Sequence, residues 1–509
     1  MNLAQVLAEK ARLAPSKVAL QFENQKRTYQ ELQERVGKAA AILRSLEIKK
    51  GDRVALLLPK GVEFVELYLA ALSLGAVGLP LNPGYRPEEI HYFLSDSESA
   101  LLITTQEKIS ELPAVLERLP SLGLLLIDPE AAPDQSYPRL LEQSLPETKP
   151  GTPHFEDDPA LLCYTSGTTG RSKGAIISHG NLIHNMQALD EAWQWSPDDV
   201  LLHVLPLFHI HGLAVALHGG LYAAARIVML KGFDPLKVWE TIEKEGCTLF
   251  MGVPTMYQRL SRAWDEIKQN LTLPSMRVFI SGSAPLPEAL FRRFKEQTGH
   301  PILERYGMTE AGMICSNPYE ADRRKPKSVG YPLSGIEIQV VDQKGRPTAP
   351  GQVGEVWIKG NNVCKGYWRQ PQKTREAFEG AWFKSGDLGY QDPEDGLRLY
   401  LKGRIKELII SGGFNVYPKE IETILEEHEA VQEAAVFGLP HEDFGEEVLA
   451  ALVLEEGPLS QEAVIAFCKT RLAGYKCPKR VFFRRDLPRN ALGKIQKNIL
   501  QQEYQGKKG

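Results

Sequence analysis

Short apolar runs that alternate with helical patterns are the feature that most limits the fold of this chain. Eight such runs occur in the first 300 residues, and segments with helical periodicity separate them. Runs of this kind predict strands that are buried on both faces, as in parallel sheets with helices on either side. The sequence therefore predicts an α/β fold of doubly wound sheets, with strands at residues 53–58, 76–80, 101–104, 124–127, 201–205, 227–230, 248–251 and 278–280.

The pattern changes after about residue 325, where apolar and polar residues alternate at 336–341, 354–358 and 397–401. Alternation predicts half-exposed antiparallel strands, so we expect a small antiparallel region here. A block of about 100 residues follows segment 402–407 and has its own helices and strands, which is enough for a separate small domain. We expect an N-terminal domain at residues 1–402, a hinge at 403–406 and an α+β C-terminal domain at 407–509.

The composition of the chain excludes some classes of partner. Its 60 Lys and Arg residues against 64 Asp and Glu residues give a net charge of −4, so no overall basic field favours nucleic acid. The six cysteines form no C-x-x-C pair, which indicates a reducing compartment. Segment 201–225 lacks Asp, Glu, Lys and Arg, but its histidines, its glycines and Pro206 favour a buried strand, turn and helix over a membrane span. With no secretory signal at the start, we expect a cytoplasmic protein without an integral membrane segment.

A glycine- and hydroxyl-rich stretch at 164–174 directly follows the apolar run 160–163. Glycines let main-chain N–H groups curl around an anion, hydroxyls add donors, and Lys173 adds a positive charge. The spacing is not that of a Walker A loop, and a flexible surface loop is the alternative. The stretch predicts a phosphate-binding loop with these candidate contacts: Thr165, Ser166, Gly167, Thr168, Thr169, Gly170 and Lys173.

With four further segments, at 306–310, 385–387, 403–406 and 488–494, this loop resembles the motifs of the adenylate-forming superfamily. That superfamily contains acyl-CoA synthetases, adenylation domains and luciferases, and the resemblance covers nearly the whole chain. It implies that a carboxylate attacks the α-phosphate of ATP to give an acyl-adenylate and pyrophosphate. A thiol then attacks the adenylate and releases AMP. It also implies that the C-terminal domain is mobile and rotates about the hinge between the two steps.

The resemblance assigns roles to residues of these segments. Thr309 corresponds to a threonine that touches phosphate, and Glu310 to a glutamate that holds Mg²⁺, a cation that prefers oxygen ligands. Asp387 and Arg404 correspond to ribose-binding residues, and Lys494 to the lysine of the adenylation step. Lys406 corresponds to the hinge residue. Three residues complete the implied nucleotide contacts: Ser283, Glu304 and Tyr306.

The acid substrate is suggested by two arginines. Arg259 and Arg305, together with Ser283, occupy places that resemble those of malonyl-CoA synthetases, where cations receive the carboxylate that is not activated. Guanidinium groups bind carboxylates through two hydrogen bonds, and an apolar acyl tunnel would not accept unpaired cations. His209 and Met313 are the other expected acyl contacts. Arg259 lies off the apolar stripe of its predicted helix, so a solvated or paired arginine stays an alternative, as do methylmalonate and short-chain acids.

CoA is the expected thiol, with Gly412, Gly413 and Lys476 as candidate contacts, and ATP and Mg²⁺ complete the reaction. We therefore predict an AMP-forming acyl-CoA synthetase of the malonyl-CoA type, acting on small molecules. The alternatives are a fatty or aryl acid ligase, a free-standing adenylation enzyme that loads a carrier protein, a luciferase-like monooxygenase and a non-catalytic nucleotide-binding relative. The oligomeric state does not follow from the sequence.

Overall fold

A computed structural model describes residues 2–146, 156–165, 172–267, 273–441, 443–455, 457–489 and 495–505. The helices are α1 Leu3–Leu13, α2 Tyr29–Ser45, α3 Val62–Ser73, α4 Pro87–Asp96, α5 Gln106–Ile109, α6 Pro113–Glu117, α7 Tyr137–Gln143, α8 His179–Trp193, α9 His218–Tyr222, α10 Pro235–Glu245, α11 Pro254–Ile267, α12 Glu288–Thr298, α13 Pro371–Ala377, α14 Pro418–Leu425, α15 Gln461–Lys469 and α16 Lys497–Tyr504. A π-helix spans His211–Leu217, and single 3₁₀ turns span Ala321–Arg323, Pro393–Asp395 and Ile405–Glu407.

The strands are β1 Val18–Phe22, β2 Gln25–Thr28, β3 Arg53–Leu56, β4 Val77–Pro80, β5 Ser99–Thr104, β6 Gly123–Leu126, β7 Pro159–Thr165, β8 Lys173–Ser178, β9 Val200–His203, β10 Arg226–Met229, β11 Leu249–Gly252, β12 Val278–Ser281, β13 Leu303–Met308, β14 Gly312–Ser316, β15 Tyr331–Pro332, β16 Ile336–Val341, β17 Gly354–Gly360, β18 Phe378–Glu379, β19 Trp382–Asp392, β20 Arg398–Arg404, β21 Ile409–Ser411, β22 Phe414–Val416, β23 Val431–His441, β24 Gly445–Leu454 and β25 Arg480–Arg484.

Two mainly parallel sheets form the large part of the molecule. One has six strands in the order β6-β5-β3-β4-β7-β8, and the other has nine in the order β15-β14-β13-β12-β11-β9-β10-β1-β2. All eight buried runs predicted from the sequence are strands of these two sheets. Antiparallel pairs occur only near the sheet ends in the part of the chain that the structure describes, at β7/β8, β1/β2, β13/β14 and β14/β15. The predicted doubly wound α/β fold is confirmed.

Local sequence signals begin and end several helices. The Thr28 side chain accepts a hydrogen bond from the main-chain N–H of Glu31, and the Glu31 carboxylate accepts one in return from the Thr28 N–H, which caps α2. The Asp234 side chain caps α10 by accepting a hydrogen bond from the Lys237 N–H, and Gly246 ends that helix in the left-handed conformation. These caps fix the start of α2 and both ends of α10.

The predicted antiparallel region is also confirmed. β16, β17, β18, β19 and β20 form a five-stranded antiparallel sheet, and a second five-stranded sheet contains β21 to β25. In that second sheet β23 and β24 form a long hairpin, from the pair Val431–Leu454 to the pair His441–Gly445. The sequence predicted shorter strands here, at 433–436 and 449–453.

The hydrophobic clusters divide along the chain. Three of them contain residues no later than Leu401, and the other two contain residues from Ile409 onward. This division is compatible with the predicted hinge at 403–406, and the domain boundaries stay a prediction.

Segment 201–225 folds as β9, a turn, the π-helix and α9, as the sequence predicted. Gly212 lies where the π-helix meets the preceding turn, and a Cβ at this position would lie 2.0 Å from the carbonyl oxygen of Pro206. π-helical turns are uncommon and are frequently found at functional sites. Among the described residues, no helix is both long and apolar enough to cross a membrane.

Candidate active site

The predicted phosphate loop connects two paired strands. Thr165 at the end of β7 is the cross-strand partner of Lys173 at the start of β8, so the two ends of the loop lie side by side. The Lys173 ammonium lies 4.2 Å from the centre of the Tyr367 ring. Five of the predicted contacts, Ser166, Gly167, Thr168, Thr169 and Gly170, lie outside the described residues.

Glu310 lies beside this loop, in the turn between β13 and β14. Its Oε1 accepts hydrogen bonds from the Thr165 hydroxyl at 3.2 Å and the Tyr367 hydroxyl at 3.1 Å. Burial lowers the pKa of Lys173 and nearby Lys406 lowers it further, while Glu310 acts in the opposite direction. Residues from three of the predicted motif segments therefore meet at the same place, and Thr309 precedes Glu310 in the same turn.

The donors present here fit a magnesium ion that is shared with phosphate. The second carboxylate oxygen of Glu310, Oε2, accepts no hydrogen bond from any described residue and is available to a cation. No cluster of three or more His, Cys, Asp or Glu side chains suited to a metal occurs in the described ranges. Mg²⁺ commonly uses one or two protein carboxylates and takes its other oxygens from phosphate and water, which matches this single carboxylate.

A second polar group is built around Asp387. The Tyr306 hydroxyl donates to its Oδ2 at 2.6 Å, and the Arg404 Nε lies 2.8 Å from its Oδ1. Arg404 is also the cross-strand partner of Asp387 in the β19/β20 pair. The Asp387 carboxylate raises the pKa of Arg404, so this guanidinium stays charged. A carboxylate and a guanidinium held in this way suit the two hydroxyls of a ribose.

Glu304 is a buried carboxyl group on β13, the strand that also carries Tyr306. Its Oε1 accepts a hydrogen bond from the Leu286 N–H at 2.8 Å, while its Oε2 has no partner in the described part of the chain. Burial raises the pKa of Glu304 to about 8. The side chain is therefore largely protonated near neutral pH and has a hydrogen bond left to donate.

The groups around Glu304 and Asp387 line a cavity of about 910 Å³ between the two parts of the molecule, whereas Thr165, Lys173, Glu310 and Tyr367 are not among its lining residues. Ser283, Glu304, Asp387 and Arg404 line it from one side. Lys494 lies outside the described residues, but Arg489 and Ile495 on either side of it in the chain line the cavity from the C-terminal part. The predicted ribose-binding residues and the C-terminal part therefore face one space.

Arg305 lies next to this cavity and is buried, with only 3% of its surface exposed. Its Nε and Nη2 make no hydrogen bond within the described ranges, and no described carboxylate pairs with it. The guanidinium lies against Gly282, where an added Cβ would be 2.3 Å from the Arg305 Cζ. Burial lowers the pKa of Arg305 to about 9, so the group is still mostly charged at neutral pH.

Two histidines of segment 205–212 lie near Arg305. The His211 Nδ1 is 3.2 Å from the Ser283 hydroxyl, and the positive charge of Arg305 lowers the pKa of His211 in addition to burial. Burial lowers the pKa of His209 to about 3, so its imidazole is neutral. The Nε2 atoms of both rings lack partners among the residues described. The sequence analysis selected His209 and missed His211, although both belong to one short motif.

The structure does not bring Arg259 together with Arg305. Arg259 lies on the exposed face of α11, and its guanidinium packs 4.9 Å from the centre of the Phe233 ring. The hypothesis of a buried cation pair is therefore corrected to a single buried guanidinium, because the apolar face of α11 turns Arg259 away from the core. Met313 is buried on β14, where its side chain packs against Gly307.

The predicted CoA contacts are not among the residues that line the cavity, although Lys476 pairs with Glu420, which does. Gly412 and Gly413 form the turn between β21 and β22, with positive φ angles of 58° and 80°, and neither lines the cavity. Lys476 is paired with the Glu420 carboxylate at 2.7 Å, so its charge is already neutralised within the chain. Their role in binding CoA stays a prediction.

The chain is similar to a group of acid–CoA ligases. It matches the AMP-binding enzyme family over residues 7–368 and the AMP-binding enzyme C-terminal domain over residues 420–494. It is 36% identical to the oxalate–CoA ligase of Arabidopsis thaliana, over 99% of this chain and 98% of that protein. It is 35% identical to the mitochondrial malonate–CoA ligase of Mus musculus, over 94% of this chain and 87% of that protein.

A solved structure extends the similarity to three dimensions. The crystal structure of ATP-bound MatB from Rhodopseudomonas palustris superposes with a TM-score of 0.93 at 40% identity, and the match covers 99% of each chain.

Proposed function

The chain belongs to the AMP-binding enzyme family, and we propose that the acid it activates is malonate or a closely related short dicarboxylate. As a member of this family it is an AMP-forming acyl-CoA ligase that uses a carboxylic acid, ATP, Mg²⁺ and CoA. The cytoplasmic location inferred from the sequence stays a prediction.

The observation that carries the proposal is the buried, unpaired guanidinium of Arg305. A buried charge without a partner costs several kcal/mol, so it is retained where a ligand supplies the counter-charge. The carboxylate of a dicarboxylic acid that is not activated is such a counter-charge, and a guanidinium binds it through two hydrogen bonds. The Nε and Nη2 atoms of Arg305 that lack partners are available for this contact.

The groups around Arg305 support the same class of substrate. The influences that shift the pKa values of His209, His211 and Arg305 include no carboxylate. A positive charge without a nearby acid creates a potential that favours an anion and disfavours an apolar acyl chain. Fatty and aryl acids, which the sequence left open, would leave this charge buried and unpaired.

The reaction needs each group of the cavity in a definite role. The phosphate loop and Lys173 hold the triphosphate, with Mg²⁺ held by Glu310 to offset the charge of the departing pyrophosphate. Asp387 and Arg404 hold the ribose, which fixes the α-phosphate relative to the acid. The carboxylate of the acid attacks the α-phosphorus and pyrophosphate leaves, with Lys494 as the cation that the resemblance assigns to this step. The thiolate of CoA then attacks the acyl carbon, and AMP leaves.

The test is release of pyrophosphate with ATP and CoA over a panel of oxalate, malonate, methylmalonate, succinate, acetate, butyrate, a long-chain fatty acid and ferulate. We expect the short dicarboxylates to have the highest kcat/KM. Arg305→Gly should lower kcat/KM for the preferred dicarboxylate by about 30-fold to 1,000-fold, the equivalent of 2–4 kcal/mol for a lost buried charge pair, and change acetate use by only a few-fold.

Arg259→Gly separates the two arginines, and we expect it to leave the acid preference unchanged. If Arg259→Gly lowers kcat/KM for the dicarboxylate as much as Arg305→Gly does, both arginines bind the acid and the hypothesis of a cation pair stands. A preference for butyrate, fatty acids or ferulate in the unmodified protein would overturn the dicarboxylate proposal, as would an equal effect of Arg305→Gly on every acid.

A further inference from the structure

Lys60, a lysine with no assigned role, lies between the two large sheets and contacts His203. Lys60 follows the carboxyl end of β3 and reaches from the six-stranded sheet to the nine-stranded one. Its Nζ is 3.2 Å from the Nδ1 of His203 and 3.1 Å from the carbonyl oxygen of the same residue. No carboxylate in the described ranges forms an ion pair with it. The sequence analysis gave Lys60 no role, because nothing in its local pattern marks it.

His203 connects Lys60 to the π-helix through a second hydrogen bond. It is the last residue of β9, has 1% of its surface exposed, and its Nε2 is 2.8 Å from the Gly212 carbonyl oxygen. Burial lowers the pKa of His203 to about 3, so the ring is neutral and carries one proton. A carbonyl can only accept, so the proton is on Nε2 and the bare Nδ1 accepts from Lys60.

The hydrogen-bonded residues that begin with Lys60 and His203 reach the acid site. Gly212 and His211 are consecutive residues of the π-helix, and the His211 Nδ1 lies 3.2 Å from the Ser283 hydroxyl, which lines the cavity beside Arg305. Gly212 packs closely against the preceding turn, where no side chain would fit, because a Cβ would lie 2.0 Å from the Pro206 carbonyl oxygen. Lys60, His203, the π-helix and Ser283 therefore form one continuous path from the first sheet to the acid site.

We propose that Lys60 and His203 are positioning residues that set the acid site through the π-helix. Neither touches substrate. Lys60 fixes the hydrogen-bonding state of His203, His203 holds the Gly212 carbonyl, and the π-helix thereby keeps His211 against Ser283. The proposal rests on the proposed function only in that the acid binds beside Arg305. An apolar pair would pack between the sheets at lower cost, so a lysine and histidine here indicate a geometric role.

The experiment compares four single variants and one double variant with the acid that the unmodified protein uses best. Lys60→Met keeps the length of the side chain and removes the donor, and His203→Leu removes both hydrogen bonds of the ring. His203→Gln is the rescue variant, because an amide oxygen can accept from Lys60 while the amide N–H donates to Gly212. Lys17→Met is the matched control, since the Lys17 ammonium also donates to a main-chain carbonyl, that of Pro197, at a distant site.

We expect Lys60→Met and His203→Leu to raise KM for the acid about tenfold, the equivalent of one lost hydrogen bond of 1–1.5 kcal/mol, with KM for ATP within about twofold of its original value. His203→Gln and Lys17→Met should stay near the unmodified protein. The double variant Lys60→Met/His203→Leu should be no worse than His203→Leu alone, because both changes break one path.

The positioning proposal is overturned if KM for acid and ATP rise together as the melting temperature falls, if His203→Gln fails like His203→Leu, or if the two single effects add. If His203→Leu does not fold, the first criterion is tested with Lys60→Met alone. The outcome is independent of which acid is preferred, so a failed dicarboxylate panel and a failed positioning test are separate results.

Discussion

Two neighbouring residues of β13, Glu304 and Arg305, show how burial shifts the pKa values of charged groups in the site. Consecutive side chains of a strand point to opposite faces, so Glu304 and Arg305 serve different parts of the site. Burial raises the pKa of Glu304 to about 8 and lowers that of Arg305 to about 9. Both shifts favour the neutral form, and each side chain has at least one polar atom without a partner among the described residues. Unsatisfied buried polar atoms of this kind require a ligand to explain them.

Gly282→Ala tests the position of Arg305 without removing its charge. The added Cβ would lie 2.3 Å from the Arg305 Cζ, so the guanidinium must shift while the strand stays in place. We expect KM for the dicarboxylate to rise about tenfold, because a displaced guanidinium loses part of its two-point contact of roughly 1–3 kcal/mol. Steady-state kinetics for malonate and acetate measure this.

The matched control is Gly299→Ala, at a helix end where an added Cβ meets no atom within 4 Å but where φ is positive. That variant should lose some stability and keep its acid preference. Equal effects of the two variants on KM would mean that the guanidinium does not contact the acid.

Single residues of this site were predictable to different degrees. The motif segments identified Asp387 and Arg404, whose side chains line one cavity, and Glu310, which lies beside the phosphate loop, although the three are far apart in sequence. Arg305 and Arg259 were equally plausible from sequence, and only the packing of α11 separates them. His211, Lys60 and Tyr367 were missed, because their contacts come from elements that are distant in the chain.

At the scale of elements, segment 200–222 concentrates four histidines in 16 residues, of which His203, His211 and His218 are buried and His209 is half-buried. His203, His209, His211 and His218 lie on β9, in the following turn, on the π-helix and on α9. Burial is the first cause that lowers the pKa of each, to about 3 for His203, His209 and His218. All four rings are therefore neutral in the folded protein at neutral pH.

These histidines predict a steep loss of stability in acid. The folded-state pKa values lie below the ordinary value of 6.5, so the unfolded chain binds more protons between about pH 6.5 and pH 3. Stability is therefore fully present above pH 6.5 and falls as the pH drops, by up to about 1.4 kcal/mol per pH unit for each histidine. Urea unfolding at pH 5.0, 6.0, 7.0 and 8.0 measures the slope.

The control for this slope is His218→Gln, which removes one of the four titrating groups. The variant will be less stable at pH 8, since it loses the Tyr68 contact at 3.0 Å, but its stability should fall less steeply below pH 6.5. A slope identical to that of the unmodified protein would show that His218 is already protonated in the folded state.

The presence of these strands could be predicted from the sequence, but the residues at which they begin and end could not. Each of the eight apolar runs in the sequence is a strand of the two parallel sheets, because these strands are buried on both faces. The ends of β23 and β24 were missed, although Phe437 and Leu439 of β23 are apolar and buried, and nothing in segment 205–217 distinguishes a π-helix from an α-helix. Such features depend on what packs against the segment.

At the scale of the whole molecule, a buried ion cluster links the residues after Arg404 to the C-terminal part. The Lys497 ammonium lies 2.6 Å from the Glu422 carboxylate and 3.2 Å from that of Glu407. Burial opposes its charge, but these two carboxylates hold the pKa of Lys497 above its ordinary value. Glu422 also accepts a hydrogen bond from the Val436 N–H, at 2.9 Å, so the cluster is anchored to β23.

Lys497→Met should leave the buried Glu422 carboxylate with only the more distant Lys419 ammonium, at 4.0 Å, and should remove the Lys497 cation from the half-buried Glu407 carboxylate. We expect a loss of about 3–5 kcal/mol in unfolding free energy, the usual cost of removing one partner of a buried pair. Lys359→Met is the matched control, because the Lys359 ammonium pairs with Glu337 at 2.8 Å on the exposed surface and should contribute less than about 1 kcal/mol. Urea unfolding of both variants measures the difference, and equal losses would contradict the buried cluster.

The same variant locates the hinge. If the hinge is residues 403–406, Glu407 lies beyond it and the whole cluster moves with the C-terminal domain. Lys497→Met should then slow adenylate formation and thioester formation by similar factors, since the cluster is intact in both domain orientations. If rotation occurs after Glu407 instead, the ion pair must break between the two steps, and the variant would slow one half-reaction far more than the other. Pyrophosphate release without CoA, and CoA consumption from supplied acyl-adenylate, measure the two half-reactions separately.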